Sequence, residues 1–182
     1  MRRRGAALGA VVLALLLPSA WPRAVRAQHL ADARRHFDEG TTLAAEERWP
    51  EAVASFRAAR SIAPDRPSIV CNLGTALYHA GERAEAVTVL ERCLDLAGAD
   101  DEWSGSEAVT LSHARRYLDE LAATVGRLRL TLEPPDAEIS LDGERIEGTG
   151  GARTIALEPG SRELLVSAVG YRDLRRTVSV DR

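Results

Sequence analysis

The segment GTTLAAEERWPEAVASFRAARSIAP at residues 40–64 decides the fold, because it returns 34 residues later as GTALYHAGERAEAVTVLERCLDLAG at residues 74–98. In both copies small residues hold fixed places and large apolar residues lie between them. A repeat of this length is typical of antiparallel helix pairs, which bury their apolar faces by stacking on a neighbour. We therefore predict two structural repeats, at about 33–64 and 67–98.

The helical spacing of apolar residues predicts helices at about 33–46, 49–62, 67–80 and 83–96. Pro50 and Pro67 fall in first turns, where a missing N–H costs no helical hydrogen bond, and Gly81 marks an end. A fifth helix, at about 106–125, is expected to cover the open apolar end of the second pair. The alternative is that its free face docks the following domain or a partner.

Certain positions of the repeat are expected to pack helix against helix, since small residues allow close approach and large apolar ones fill the remaining space. These positions are Gly40, Ala52, Phe56, Ala59, Pro64, Leu73, Gly74, Ala86, Leu90 and Cys93. Their pattern resembles the tetratricopeptide repeat family, which forms a superhelix with a concave binding face. The resemblance implies a protein or peptide partner on that face, which would carry Arg34, Phe37, Thr41, Ala44, Cys71, Thr75, Tyr78 and His79. The alternative is that Phe37 or Tyr78 only packs locally.

From Gly126 the apolar residues alternate along short segments separated by turn residues, which predicts antiparallel strands with one buried face. We expect a small β-sandwich at residues 126–182, and an α+β chain of two domains. This segment is similar to the PEGA domain family. The similar motifs are Pro134-Pro135-x-Ala137, Leu141-Asp142-Gly143, Leu157-x-Pro159-Gly160 and Gly170-Tyr171.

Residues 1–27 read as a secretory signal, with basic Arg2–Arg4 before the apolar run Ala6–Leu17. A helix of about a dozen residues spans about 18 Å, short of the roughly 30 Å of bilayer hydrocarbon, so a cleaved leader is favoured over a permanent anchor. Cleavage is expected after Ala27, with Ala20 as second choice. The sequence thus predicts export to the periplasm or cell surface of a bacterium, with no transmembrane segment left after cleavage.

Removing residues 1–27 takes away five arginines and no acids, so the formal net charge falls from −3 to −8. Such an acidic surface repels phosphate backbones, which argues against a nucleic-acid partner. Cys71 and Cys93 would lie in an oxidising compartment that permits a disulfide. Because Cys93 is equivalent to Ala59, we favour small buried thiols over a bridge.

The sequence shows no catalytic constellation, and we predict neither an enzyme nor a cofactor. His29, Asp32 and His36 could share a helical face as metal ligands, but ordinary exposed residues are favoured. The acidic run Asp100–Glu102 lies within a linker and helix at residues 100–125. We interpret it as part of a solvent-exposed linker rather than as a calcium site. The run Gly148–Gly151 is read as a loop between strands rather than a phosphate cradle.

The sequence therefore predicts a non-catalytic scaffold or adaptor of the cell envelope, whose helical repeats at residues 28–99 bind a protein or peptide. In the alternative, the β domain binds cell-wall glycan or surface polysaccharide and the helices serve as a stalk.

Overall fold

The computed structural model describes residues 21–98, 105–146, 148 and 150–181. In this part of the chain five helices are followed by six strands. The helices are α1 Trp21–Ala45, α2 Trp49–Ile62, α3 Pro67–Ala80, α4 Arg83–Ala97 and α5 Ser106–Leu121. The strands are β1 Gly126–Thr131, β2 Glu138–Leu141, β3 Glu144–Ile146, β4 Ala152–Leu157, β5 Gly160–Ser167 and β6 Leu174–Val180. The predicted α+β class, with helices first and an antiparallel β part second, is confirmed.

Two helix boundaries differ from the prediction. Helix α1 begins at Trp21, twelve residues before the predicted start and within the segment interpreted as a leader, most of which lies outside the described residues. Helix α5 ends at Leu121 rather than at residue 125. There the Thr124 hydroxyl and the Val125 amide both donate to the Leu121 carbonyl, at 3.0 and 3.1 Å. The chain turns here because Val125 is buried and Gly126 already opens β1.

The repeat produces the same helix contact twice. A Cβ atom built on Gly40 would lie 2.7 Å from Cε1 of Phe56, and one built on Gly74 would lie 2.7 Å from Cδ2 of Leu90. Carbon atoms in contact normally lie about 3.5–4.0 Å apart, so a larger residue at either place would have to displace the facing side chain. The other predicted packing positions Ala52, Ala59, Leu73, Ala86 and Cys93 are fully buried, whereas Pro64 is exposed and follows α2.

Helix α5 packs on α3 and α4 and buries a stripe of its own residues against them, so it covers the second helix pair. The buried members of the stripe are Leu111, Ala114, Tyr117 and Leu121. Helices α2, α3 and α4 have 14 or 15 residues and are marginal alone in water, so their stability comes from this stacking.

The β part consists of two antiparallel sheets, one of order β1-β4 and one of order β3-β2-β5-β6. Their facing sides enclose a separate core centred on Leu132, Ala137, Ile139, Leu141 and Leu164. The two-residue turn Asp142-Gly143 joins β2 to β3, with φ of 51° and 86°. Asp and Gly tolerate this left-handed backbone, as the turn chemistry of the sequence predicts.

The two parts of the chain are packed against each other. Ala156 of β4 is buried in the same apolar cluster as the helices, and β4 lies on α4. The Arg127 guanidinium at the start of β1 donates a hydrogen bond to the Glu91 carboxylate of α4. The β module therefore packs at a defined position on α4, the last helix of the second repeat.

None of the helices in the described part of the chain combines the length and the apolar character needed to cross a membrane.

Candidate functional site: a groove between the first helices of the two repeats

An open groove lies between α1 and the beginning of α3, the first helices of the two repeats. It encloses about 460 Å³. Its lining is Leu30, Ala31, Ala33, Arg34, Phe37, Asp38, Arg66, Ser68 and Ile69. Two of the eight residues expected on the concave face, Arg34 and Phe37, are therefore part of this groove.

The groove combines an apolar floor with charged edges. Phe37 is half-buried, with its ring centroid 5.7 Å from that of Phe56, and Ile69 is buried at the start of α3. On α1 the Arg34 guanidinium lies 3.7 Å from the Asp38 carboxylate, with side chains 83% and 63% exposed. An ion pair so exposed is weak and readily exchanges partners. Arg34 can therefore turn to an acidic group on a ligand at little cost.

The next two predicted residues of α1 lie beyond this groove. Thr41 is exposed, and its hydroxyl donates to the Phe37 carbonyl at 2.9 Å. Ala44 is half-buried and packs against the helical core. Thr75 of α3 is also half-buried. Thr41 thus extends the accessible surface along α1, while Ala44 contributes mainly to packing.

The last two predicted residues, Tyr78 and His79, are engaged by other helices. Tyr78 stacks on Tyr117 of α5 with ring centroids 4.0 Å apart, and its hydroxyl donates to the Glu120 carboxylate. His79 stacks on Trp49 of α2 at 4.2 Å and shares a 3.2 Å hydrogen bond with the Tyr117 hydroxyl. Helix α5 therefore occupies this end of the α3 surface.

The aromatic cluster has perturbed acid–base properties. The hydrogen bond to the Glu120 carboxylate raises the pKa of Tyr78, because the carboxylate favours the protonated phenol. Partial burial lowers the pKa of His79, and the Arg116 guanidinium lowers it further, since both disfavour the imidazolium. Near neutral pH the cluster therefore holds a neutral imidazole and a neutral phenol.

The preference for free thiols is wrong: Cys71 and Cys93 form a disulfide, with Cα atoms 4.9 Å apart. The burial of both residues, at 3% and 0% exposure, follows the prediction. Equivalence with Ala59 indicates that Cys93 faces inward, but it does not reveal that Cys71 on the antiparallel helix lies directly opposite. Cys71 is consequently absent from the surface that a partner could reach.

Three residues that form these surfaces are not predicted from the sequence. Arg66 and Ile69 line the groove because the chain between α2 and α3 brings them next to α1. No local sequence pattern predicts this contact. Tyr117 could have been found, since Leu111, Ala114, Tyr117 and Leu121 follow helical spacing on one face of α5.

The described residues include no group of three His, Cys, Asp or Glu side chains placed to hold a metal ion. Asp32 accepts from Gln28 and Arg35, and His36 lies 3.6 Å from the Glu39 carboxylate. Asp100–Glu102 lies outside the described residues. In the glycine-rich loop, the Arg153 guanidinium donates to the Gly150 carbonyl at 3.2 Å, so the arginine binds the loop itself.

A short stack of repeat helices with an open groove, packed against a small β-sandwich, defines a helical-repeat protein with a C-terminal β module. Comparison with family models agrees with this class. The tetratricopeptide repeat model matches residues 43–108, and the PEGA domain model matches residues 125–182. The chain therefore carries a tetratricopeptide repeat region followed by a C-terminal PEGA domain. A search of curated proteins finds no match.

Tetratricopeptide repeats are typically non-catalytic modules of protein–protein interaction, and PEGA domains are associated with extracellular or periplasmic proteins. The comparison thus assigns a protein partner to the helical part and places the β part among modules found outside the cytoplasm.

Proposed function

We propose that this protein is a non-catalytic adaptor of the bacterial cell envelope, which holds a protein or peptide segment in the groove between α1 and α3. The observation that carries the proposal is the groove itself, in which Phe37 and Ile69 form an apolar floor beside the exposed Arg34 and Arg66. An extended or helical segment with an apolar anchor and an acidic neighbour fits such a surface.

The binding surface proposed here is smaller than the eight residues expected from the resemblance. Arg34, Phe37 and Thr41 remain accessible along α1. Cys71 is in the disulfide, and the rings of Tyr78 and His79 are stacked on other aromatic rings. The partner is therefore expected to lie along α1 and to reach α3 only at its beginning.

The disulfide supports the proposed envelope location. A buried disulfide forms and persists in oxidising compartments and is rare in the cytosol, and the bridge between Cys71 and Cys93 joins the two helices of the second repeat. Together with the leader expected at residues 1–27, this favours the periplasm or the cell surface. We further propose the division into leader, repeats at 28–99, linker and covering helix at 100–125, and β module at 126–182.

The groove can be tested with a photo-crosslinking amino acid placed at Arg34 or at Thr41, in cells that express the full chain. A matched control carries the same amino acid at Ala54, an exposed residue of α2 away from the groove. We expect one defined protein adduct from each groove position and none from the control position. A charge-reversing Arg66→Glu change should weaken the adduct at Arg34, because it alters the groove edge without touching the helix core.

Equal labelling from Arg34, Thr41 and Ala54 would contradict groove binding. The location is tested in parallel by fractionation: recovery of the chain in the cytosol with residues 1–27 still attached would contradict the envelope assignment.

A further inference from the structure

Exposed apolar side chains are clustered at the turn between β5 and β6. Five large apolar side chains of the described chain are exposed, and three of them, Val169, Tyr171 and Leu174, lie within six residues here, at 102%, 65% and 47% exposure. The other two, Leu30 and Val109, lie singly on α1 and α5. Scattered exposed apolar residues are ordinary, whereas a cluster on one projection indicates a surface that contacts something else. We call residues 168–176 the hairpin tip.

The hairpin tip has a defined backbone. The Tyr171 amide donates to the Ala168 carbonyl at 3.1 Å, and Gly170 takes a φ of 85° that closes the turn. Val166 of β5 pairs with Leu174 of β6 directly below it. The apolar side chains are therefore presented by an ordered hairpin.

Arginines surround the apolar side chains. Arg172 lies in the turn, and Arg175 and Arg176 are adjacent on β6, so they point to opposite faces of the hairpin. Arg175 lies 3.5 Å from the Glu163 carboxylate. Arg172 and Arg176 have no carboxylate within ion-pair distance in the part of the chain that the structure describes. The tip is thus locally cationic, with Asp173 as its one acid, on a chain whose net charge is negative.

We propose that the hairpin tip docks on an anionic lipid surface, with Val169 and Leu174 entering the headgroup–acyl boundary and the arginines contacting lipid phosphates. Tyrosine suits this depth because its ring is apolar and its hydroxyl remains hydrated. Arginine suits it because its stem packs on apolar groups while the guanidinium binds phosphate.

The shape of the tip favours lipid over a protein partner. Val169 projects fully from a convex turn, and a protein would need a matching pocket with a surrounding interface on the order of 1,000 Å². A bilayer boundary accepts a projecting side chain without a preformed pocket. The proposal is independent of what the α1–α3 groove binds.

The test is vesicle flotation of the chain from Gln28 to Arg182, first checked for cooperative unfolding. The vesicles are phosphatidylcholine alone, or phosphatidylcholine mixed with phosphatidylglycerol. We expect binding to the anionic vesicles that weakens with added salt. Each of Val169→Ser, Tyr171→Ser and Leu174→Ser should reduce partitioning by up to about tenfold. Each of Arg172→Ser and Arg176→Ser should reduce it by about fivefold, as expected for one basic residue near an anionic surface.

Val109→Ser is the matched control, since it removes a comparably exposed apolar side chain from α5. All these side chains are exposed, so the variants should unfold at the same urea concentration as the parent chain. The proposal is overturned if the parent chain does not float with anionic vesicles. It is also overturned if the tip variants float as the parent does, or if Val109→Ser loses as much binding as they do.

Discussion

Adding one methyl group at Gly74 tests whether the repeat contact governs the helix spacing. The new Cβ of Gly74→Ala would lie 2.7 and 2.8 Å from Cδ2 and Cγ of Leu90, and 3.3 Å from the Leu90 backbone nitrogen. Normal contact needs about 3.5–4.0 Å, so the helices must separate or Leu90 must leave its position. Overpacking of this kind costs about 1–3 kcal/mol. Alanine recovers about 1 kcal/mol over glycine through helix propensity. We expect a net loss of up to about 2 kcal/mol.

The sign of the effect should reverse when Leu90 is shortened. Leu90→Ala alone costs about 2–5 kcal/mol, because Leu90 is fully buried. In that background the methyl group at residue 74 meets no Cγ or Cδ2 atom and keeps only the 3.3 Å contact with the backbone nitrogen of residue 90. Most of the propensity gain of about 1 kcal/mol therefore remains. Gly74→Ala should therefore stabilise the Leu90→Ala protein and destabilise the parent. The difference is a coupling of about 1–3 kcal/mol, equal to the overpacking cost that Leu90→Ala removes.

Urea unfolding followed by far-ultraviolet circular dichroism measures all four free energies of unfolding. The equivalent cycle at Gly40 and Phe56 provides an internal replicate, since a Cβ there meets the Phe56 ring at the same 2.7 Å. If Gly74→Ala has the same effect in both backgrounds, the close approach does not set the spacing and the reasoning fails.

Three further changes test other features. Replacing Cys71 and Cys93 together by Ala should cost about 3 kcal/mol, because the bridge closes a 22-residue separation; urea unfolding under non-reducing conditions checks this, and an unchanged midpoint contradicts it. Because the pKa of His79 is lowered in the folded protein, the unfolded chain binds more protons as pH falls below about 6.5, and stability declines there. His79→Gln should flatten that decline between about pH 7 and about pH 5, and an unaltered pH profile would show that His79 contributes nothing. Ala156→Asp should cost about 3–5 kcal/mol by placing an unpaired carboxylate among the helices, whereas Thr154→Asp on the exposed part of β4 should cost less than about 0.5 kcal/mol; equal losses would disprove the docking.

Much of the fold is readable from the sequence because its signals are local or repeated. The 34-residue repeat predicts the pairing of Gly74 with Leu90 once Gly40 is paired with Phe56, and Gly81 ends α3 with the positive φ expected of a helix-terminating glycine. No single segment of the sequence predicts the strand order of the β part or the packing of Ala156 on the helices. Both depend on contacts between residues that are distant in sequence.

The candidate site was less predictable than the fold. On α1 the face of the helix follows from residue spacing, and there Arg34 and Thr41 are exposed whereas Phe37 and Ala44 are half-buried. The ring contacts of Tyr78 and His79 depend on how other helices pack on α3: Tyr78 stacks on Tyr117 of α5, whereas His79 stacks on Trp49 of α2 and remains exposed. The disulfide similarly required knowledge of which inward-facing residues meet across two antiparallel helices.

The packing of β4 on α4 affects how the two parts of the chain are oriented relative to each other. Because Ala156 packs among the helices and Arg127 donates a hydrogen bond to Glu91, the sandwich is attached to the second repeat. This attachment limits rotation of the hairpin tip relative to the α1–α3 groove. If a partner binds in the groove as proposed, it would keep one orientation toward whatever the hairpin tip contacts, so the molecule would act as a rigid spacer rather than a flexible linker.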